Sequence, residues 1–225
     1  MKVGYAVLYI NGTLVISNNH TLLQKNIIKD YDEFEDTDVP WGKESSKIKK
    51  VQILDQVKSN YMNAWFEDCL NLTTLLNFKN LDVSDCTDFS FMFCNCKSLQ
   101  NLNELQSWNI SNGTDFSYMF AACKSLQDLN GLKNWNVSNG IGFSRMFSYC
   151  NALKNLNELQ YWNVSNGTDF SYIFYHCNSL EEILLSNTFK NLTKEMFELC
   201  NPKLKIHWKK YTYTYADLLE YEKIY

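Results

Sequence analysis

Residues 115–126 read DFSYMFAACKSL, and this stretch decides the fold because similar stretches return at a fixed interval. They stand as DFSFMFCNCKSL at 88–99, GFSRMFSYCNAL at 142–153 and DFSYIFYHCNSL at 169–180. The interval of 27 residues lies within the roughly 20–50 residues typical of stacked-repeat proteins, in which each unit buries its apolar face against its neighbours. The sequence therefore predicts a solenoid. Such a stack offers a broad binding surface more readily than a deep catalytic pocket.

A column of cysteines runs through these repeats in register. It consists of Cys69, Cys96, Cys123, Cys150, Cys177 and, after a shorter step of 23 residues, Cys200. Residues in register in a stack lie above one another, one per repeat, so a repeating cysteine serves as a small buried apolar side chain. We therefore predict reduced thiols rather than a disulfide framework. Cys86 and Cys94 break the register and are the two cysteines predicted to be open to oxidation or pairing.

Each repeat divides into a strand, a turn and a short helix. Leu99 and Leu102 predict the opening of a short strand, with the two polar residues between them facing outward. Thr114 follows an Asn-Gly turn and is a natural helix N-cap. Residues 116–123 then place Phe, Met, Phe and Cys at i, i+3, i+4 and i+7, the apolar stripe of a helix. The predicted architecture of residues 65–200 is an α/β solenoid of about six strand–turn–short-helix units, each 23–27 residues long.

Residues 1–64 are predicted to form a β cap. Val3–Ile10 and Thr13–Ser17 flank Asn11-Gly12, a strong type I′ hairpin signal, and residues 48–54 alternate as a further strand. This cap would cover the first repeat, whose open edge would otherwise invite aggregation.

Residues 201–225 are predicted to close the other end of the stack. Leu204–Trp208 has the pattern of a last strand, and Tyr215–Tyr225 that of a closing helix.

The phrase Trp135-Asn136-Val137-Ser138-Asn139, followed by Phe143-Ser144-Arg145-Met146-Phe147, resembles the BspA-like leucine-rich repeat family of bacterial surface proteins and lipoproteins. The Cys-x-Ser-Leu starts at Cys96, Cys123 and Cys177 resemble it too, and the likeness extends over nearly the whole chain. The resemblance implies a leucine-rich repeat fold and a role in adhesion or in binding host or matrix proteins. It brings no shared catalytic residues.

Composition restricts the possible partners. The net charge is −4 and no basic stripe is present, which makes DNA or RNA an unlikely direct ligand. No stretch of about 20 apolar residues exists that could span a membrane. The first residues lack the apolar run and cleavage site of a signal peptide. Either the chain works inside a cell or a leader has been removed.

Two outward rows carry the side chains that we predict to contact a partner. On the strand side they are Gln100, Gln127, Asp128, Lys154 and Glu181; on the helix side they are Phe91, Tyr118, Arg145 and Tyr172. Aromatic residues and arginine are the side chains that protein interfaces favour. The alternative is that both rows merely keep the stack soluble.

An acidic run is the third candidate surface. Residues 30–38 hold six carboxylates, among them Asp32, Glu33, Glu35 and Asp36, which could dock a basic partner. More often such a run is a solvated loop.

Catalytic chemistry has little support in the sequence. His176 adjoins Cys177, but a nucleophile and its base must meet in space with a third group orienting the base. The cysteine spacing does not match a zinc site, and no cofactor is predicted. We expect a monomer that recognises another protein without catalysis. It is either an adhesin-like surface or secreted module, as the resemblance implies, or an intracellular binder or inhibitor, for which a mobile element is one possible source.

Overall fold

The computed structural model describes residues 2–19, 26–35, 37, 39–220 and 223–224, without the side chains of residues 2, 3, 32, 33, 223 and 224. The strands are β1 (Lys2–Tyr9), β2 (Thr13–Ser17), β3 (Ile27–Glu35), β4 (Lys50–Ile53), β5 (Val57–Lys58), β6 (Thr74–Leu76), β7 (Leu81–Asp82), β8 (Glu182–Leu184), β9 (Leu192–Thr193), β10 (Lys205–Trp208), β11 (Tyr211–Thr214) and β12 (Lys223–Ile224). Helix α1 spans Tyr215–Glu220. Short 3-10 turns lie at Gly42–Lys47, Phe78–Asn80, Asn103–Leu105, Asn130–Leu132, Asn157–Tyr161 and Lys194–Phe197.

The chain begins with a five-stranded sheet in the order β3-β1-β2-β4-β6. β1 and β2 pair antiparallel with Leu8 opposite Leu14, which confirms the predicted hairpin. The predicted type I′ turn is wrong, because Asn11 does not have the positive φ that such a turn requires. Gly12 has a φ of +82°, the left-handed conformation that a tight hairpin turn requires. The strand predicted over 48–54 is confirmed as β4, which runs parallel to β2 and to β6. Because β6 belongs to the first repeat, this sheet joins the cap to the stack.

The acidic run lies mainly in a strand, so the prediction of a solvated loop is wrong for residues 30–35. These residues belong to β3, at the end of the sheet order, where they pair with β1. The reason is the aromatic content of the run: Tyr31 and Phe34 are buried against Trp41, with the Phe34 and Trp41 ring centroids 5.3 Å apart. Burying two aromatic side chains stabilises the strand enough that the acidic residues between and beside them are also held in it.

Successive repeats lie against one another in register, as the period predicts. Single parallel bridges link Asp88 to Asp115, Asp115 to Gly142, and Gly142 to Asp169. Every second backbone N–H over residues 116–122 donates to a carbonyl of the following repeat. These bonds join Phe116 to Gly142 at 2.9 Å, Tyr118 to Ser144 at 2.9 Å, Phe120 to Met146 at 3.0 Å and Ala122 to Ser148 at 2.7 Å.

The helix predicted over residues 116–123 is wrong, because this segment is a chain of tight turns. Met119 N–H donates to the Phe116 carbonyl and Cys123 N–H to the Phe120 carbonyl, both at 3.2 Å. The third residue of each turn is left-handed, with φ of +58° at Tyr118 and +57° at Ala122. A positive φ at that position is the mark of a type II turn and is incompatible with a right-handed helix.

The strand predicted at residues 99–102 is also wrong for the inner repeats. Strands occur at this position in the first repeat, as β6, and in the last, as β8. In the repeats between, local side chains bind the backbone N–H groups that a strand ladder would use. Asn130 N–H donates to Asp128 Oδ1 at 3.0 Å and Asn103 N–H to Asn101 Oδ1 at 3.4 Å. Such local hydrogen bonds compete with sheet pairing and favour turns.

Stacked aromatic columns form the core. Phe66, Phe93, Phe120, Phe147, Phe174 and Phe197 stack with ring centroids 5.3–6.2 Å apart. Phe89, Phe116, Phe143 and Phe170 form a second column spaced 5.2–5.6 Å apart. Each repeat thus buries its rings against the next, the packing that the period predicts.

The in-register cysteines are buried and reduced, as predicted. Each thiol from Cys96 onward donates to the carbonyl of a phenylalanine in the preceding repeat, as Cys123 does to Phe93 at 3.3 Å. The two cysteines out of register are both free, Cys86 buried and Cys94 half-buried. Cys86 is buried and donates to the Ser59 carbonyl at 2.9 Å. Burial, with help from Glu67 and Asp68, raises the pKa of the Cys94 thiol to about 12, which disfavours the reactive thiolate.

The far end of the stack matches its prediction in part. The predicted strand is confirmed as β10, which is parallel to β8 and antiparallel to β11. The predicted helix begins at Tyr215 and ends at Glu220; residues 223–224 form β12 instead and pair with β9. Thr214 N–H donates to Asp217 Oδ2 and Asp217 N–H donates to Thr214 Oγ1, the reciprocal pair of a capping box at the start of the helix.

Candidate partner-binding surface

Large side chains from several repeats meet on the surface and form what we call the aromatic ridge. It consists of Phe91, Tyr118, Arg145, Tyr172, Tyr149, Tyr175 and His176. The first four occupy the same position in four successive repeats. Tyr149 is 37% exposed and the other six are half-buried. Each residue therefore offers surface to a partner while resting on its neighbours.

The rings of the ridge contact one another directly. Phe91 and Tyr118 stack with centroids 4.6 Å apart and planes 9° apart. Tyr149 stacks on His176 at 4.9 Å and meets the edge of Tyr175 at 5.2 Å. Aromatic pairs at these distances restrict each other's rotamers, so little side-chain entropy is left to lose on binding.

Arg145 lies in the middle of the ridge. Its guanidinium carbon is 4.4 Å from the Tyr172 ring centroid, 5.6 Å from Tyr175 and 5.9 Å from Tyr118. These are cation–π distances, so three tyrosines hold the guanidinium in place. The positive charge is thereby ordered at the surface.

The backbone explains why these side chains form columns. Arg145, Tyr149, Tyr172 and His176 have φ between +54° and +60°, as do Phe91 and Tyr118. A non-glycine residue in this region costs about 1–2 kcal/mol. The repeat accepts that cost because the left-handed residue completes each turn and directs its N–H to the next repeat. Its side chain then lies above the matching one in the previous repeat.

The structure brings the predicted helix-side row together, although no helix carries it. Phe91, Tyr118, Arg145 and Tyr172 contact their neighbours along the ridge. The sequence analysis missed Tyr149, Tyr175 and His176. The available signal was the appearance of aromatic residues in the two columns that hold alanine at residues 121 and 122. Binding of a partner by this row stays a prediction.

The strand-side candidates form a separate row. Gln127 N–H donates to the Gln100 carbonyl at 3.1 Å, and Glu181 N–H to the Lys154 carbonyl at 2.9 Å, so consecutive repeats align. All four side chains are exposed, whereas the Asp128 carboxylate accepts the Asn130 N–H described above. These polar side chains make none of the ring contacts that order the aromatic ridge.

The acidic candidates are only partly described. Glu35 is exposed at the end of β3. Asp32 and Glu33 belong to β3, but their side chains lie outside the described part, as does all of Asp36. A role for this run in docking stays a prediction.

The structure does not assemble the Cys-His pair that the sequence places side by side. Cys177 is buried and its thiol donates to the Phe147 carbonyl at 3.1 Å. Burial raises the pKa of that thiol well above its usual value. His176 packs on the Tyr149 ring instead. Its neighbour in the sequence is therefore not available to it as a nucleophile.

His207 makes its own polar contacts across three strands. Its Nε2 lies 2.8 Å from Glu182 Oε1 on β8, and its Nδ1 lies 2.9 Å from the Thr212 hydroxyl on β11. Since β8, β10 and β11 are neighbours in one sheet, these contacts link the strands of the C-terminal cap. No thiol takes part in them.

An asparagine ladder lines a shallow groove beside Ile141. Asn112, Asn139 and Asn166 each donate from Nδ2 to a serine carbonyl of the preceding repeat at 2.8 Å. The amide donors are thus used in holding the repeats together. We interpret the ladder as a structural feature.

Among the described residues, no helix is long and apolar enough to cross a membrane. Within the same residues, no group of three or more histidine, cysteine or acidic side chains is arranged to hold a metal ion.

Comparison with known sequences gives one family match. Residues 101–206 match the family described as "Mycoplasma protein of unknown function, DUF285". No curated protein matches the chain. The match covers the inner repeats, where the 27-residue period is most regular.

The chain is also similar, at low identity, to solved bacterial leucine-rich repeat proteins. One, from Bacteroides ovatus, is 14% identical over 94% of this chain and 67% of its own, with a TM-score of 0.31. Another, from Eubacterium ventriosum, is 13% identical over 91% and 82%, with a TM-score of 0.29. A leucine-rich cell surface protein from Faecalibacterium prausnitzii is 12% identical over 92% and 94%, with a TM-score of 0.26. TM-scores this low do not establish a shared detailed architecture.

Proposed function

We propose that this protein is a non-catalytic protein-recognition module, built on a leucine-rich-repeat-type solenoid, which binds its partner through the aromatic ridge. The observation that carries the proposal is the ordered contact of Tyr118, Arg145 and Tyr172 at the surface. Tyrosine and arginine are the residues most enriched among interface hot spots. Their mutual packing before binding reduces the entropy cost of association.

The setting we propose is that of an adhesin-like surface or secreted module. One similar structure is described as a cell surface protein, and the repeat phrase resembles a family of bacterial surface proteins. The alternative is an intracellular binder or inhibitor. The eight free thiols favour that alternative, because free cysteines are the usual form in a reducing compartment.

A quantitative pull-down with mass spectrometry tests the proposal, with source-cell lysate and culture medium as separate inputs. The test variant is Tyr118→Ala/Arg145→Ala/Tyr172→Ala. The control, Gln100→Ala/Gln127→Ala/Lys154→Ala, changes the same number of exposed residues on the strand side.

We expect a stoichiometric partner that the ridge variant loses and the control retains. The input that supplies this partner separates the two settings. Retention by the ridge variant with loss by the control would place the interface on the strand side and refute our choice of surface. Thermal melting of all three proteins checks that they are folded.

A further inference from the structure

The single arginine of the chain is the centre of the strongest candidate for specific recognition. Arg145 is the only arginine among 225 residues, and it lies on the aromatic ridge rather than among the scattered lysines. Tyr118 and Tyr172 come from the repeats before and after it, and both rings lie within 6 Å of its guanidinium carbon. The cation is therefore ordered by rings contributed by both adjacent repeats.

No carboxylate neutralises this cation within the described part of the chain. Arg145 makes neither an ion pair nor a side-chain hydrogen bond to any described residue. The ion pairs described are those of Lys58 with Asp85 and of His207 with Glu182. Tyrosine rings offer no hydrogen-bond acceptor equal to the five N–H donors of a guanidinium. The N–H donors of Arg145 are therefore left to bind a group from outside the molecule.

The repeat that carries Arg145 also lacks an aspartate that the other repeats have. In the other repeats Asp88, Asp115 and Asp169 accept a serine N–H two residues later, at 2.8–2.9 Å. The fourth member of this column is Gly142, so Ser144 N–H has no such acceptor. The arginine and the missing carboxylate fall in the same repeat. Both changes make this part of the surface less negative than its neighbours.

The planar shape of the Arg145 guanidinium favours a planar anion. The Arg145 guanidinium carbon lies 4.4 Å from the Tyr172 ring centroid. Contact with a ring uses none of the guanidinium N–H donors, and a guanidinium matches a carboxylate through two parallel hydrogen bonds. The rings also remove water from around the guanidinium, which strengthens the interaction. Lysine, a compact point charge, would not provide this geometry.

A carboxylate fits the surroundings better than a phosphate. The protein has a net charge of −4. The pKa of Tyr175 in the ridge is raised mainly by its hydrogen bond with Tyr149 and by burial, and the negative charge of Glu198 adds to this. Repulsion from these charges is about twice as strong for a phosphate dianion as for a carboxylate. Phosphate sites usually combine several cations or a helix N-terminus, and the ridge contains one cation.

We propose that Arg145 anchors the partner by binding an aspartate or glutamate side chain that projects from a segment of the partner protein. Tyr149, Tyr172 and Tyr175 pack around the carboxylate and exclude water from the pair. This inference rests on the proposed function and adds the chemistry of the partner to it.

Peptide selection followed by nuclear magnetic resonance tests the proposal. A displayed library of random 12-residue peptides is selected in parallel on the full-length protein and on Arg145→Gln. We expect peptides enriched only on the wild type to carry an acidic residue. Replacing that residue by its amide, or Arg145 by Gln, should weaken binding about tenfold or more. Arg145→Lys should restore only part of it, because the bidentate geometry is lost.

The side-chain Nε–Hε signal of Arg145 reports the contact without ambiguity, since the chain has no other arginine. It should shift on addition of the selected peptide, and much less with its amide counterpart or with inorganic phosphate. Equal selection on Arg145→Gln, no enrichment at all, or a saturating shift with phosphate would each overturn the proposal. The pull-down with the triple variant judges the proposed function separately, so the two can fail independently. Thermal melting of Arg145→Gln excludes unfolding as the cause of any loss.

Discussion

At the scale of single residues, the left-handed positions determine how each repeat is built. Ala122, Tyr118 and Arg145 have φ near +55°, where glycine is the residue expected. Large side chains occupy these positions all the same, and they are the ones that form the aromatic ridge. The strained left-handed residues are thus the ones that place ordered side chains on the surface. Backbone strain is often found at functional sites in this way.

Two adjacent alanines test the left-handed position directly. Ala122→Gly should raise the free energy of unfolding by up to about 1 kcal/mol, because glycine adopts a positive φ without the cost that alanine has. Ala121→Gly is the control, since Ala121 is buried and does not have a positive φ. It should lower the free energy by about 1–2 kcal/mol through lost burial and added chain entropy. Urea unfolding measures both. Equal losses in the two variants would contradict the assignment.

Gly140 illustrates a different constraint, which is space for a ring. A Cβ at Gly140 would lie 2.3 Å from Cζ of Phe143, and Phe143 cannot slide because Phe116 and Phe170 stack on its two sides. Gly140→Ala should therefore destabilise the protein by about 1–3 kcal/mol, the range for overpacking a core. Gly42→Ala, where a Cβ would meet nothing within 4 Å, should stay within about 0.5 kcal/mol of the wild type. Chemical denaturation checks both, and similar losses would refute the steric argument.

At the scale of elements, the sequence predicted position better than conformation. The period correctly placed Phe120 and Cys123 in the core and Tyr118 on the surface. The apolar spacing of residues 116–123 fits a helix equally well, because a chain of four-residue turns also places side chains 3, 4 and 7 residues apart on one side. Only the left-handed φ at Tyr118 and Ala122 separates the two, and side-chain propensity does not reveal it.

The same reasoning explains the other differences. The acidic run looked like a loop because its carboxylates outnumber its two buried aromatics, and burial decided the outcome. The aromatic ridge was half predicted, since Tyr118, Arg145 and Tyr172 share one column. Tyr149, Tyr175 and His176 come from two other columns, which hold small residues at Ala121 and Ala122, so a single column could not reveal them.

A second element-scale device is the indole ladder. Trp135 is buried and its Nε1 donates to the Leu105 carbonyl of the preceding repeat at 3.1 Å, as Trp108 does to Phe78 and Trp162 to Leu132. Each bond ties two repeats together where water cannot replace it.

Trp135→Phe should therefore lower the free energy of unfolding by about 1–3 kcal/mol, through the lost hydrogen bond and the space left by the smaller ring. Tyr161→Phe is a suitable control because Tyr161 is 59% exposed, and it should change stability by less than about 0.5 kcal/mol. Equilibrium urea unfolding compares the two. A loss confined to the control variant would refute the role of the indole.

At the scale of the whole molecule, neighbouring repeats are held together by their mutual contacts, and a sheet lies at each end of them. The sheet containing β1, β2 and β4 covers the first repeat through β6, and β10 covers the last through β8. Capped ends are what keep a stacked-repeat protein soluble. The aromatic ridge then remains as the main surface where large apolar groups from several repeats face outward together.

The cysteine column makes the whole stack sensitive to alkaline pH. Burial raises the pKa of Cys69 and Cys200 to about 12, and it raises the pKa of the thiols between them as well. In the unfolded chain a thiol has a pKa of about 8.5. Below that pH both states hold their protons and the thiols do not make stability depend on pH. Above it the unfolded chain releases protons that the folded protein retains, so the free energy of unfolding falls as pH rises.

Each thiol contributes a slope of about 1.4 kcal/mol per pH unit once the unfolded form is fully ionised. We expect Cys123→Ala to be less stable than the wild type at pH 7, because a buried side chain and its bond to the Phe93 carbonyl are altered. Its stability should decline less steeply between about pH 9.5 and 10.5, by that same single-thiol slope.

Urea titrations at several pH values in the presence of reductant measure both slopes. Tyr31, whose pKa is also raised by burial, contributes equally to both proteins and cancels in the comparison. Parallel slopes would mean that Cys123 is already ionised or exposed in the folded protein, and that the thiols are not part of the core.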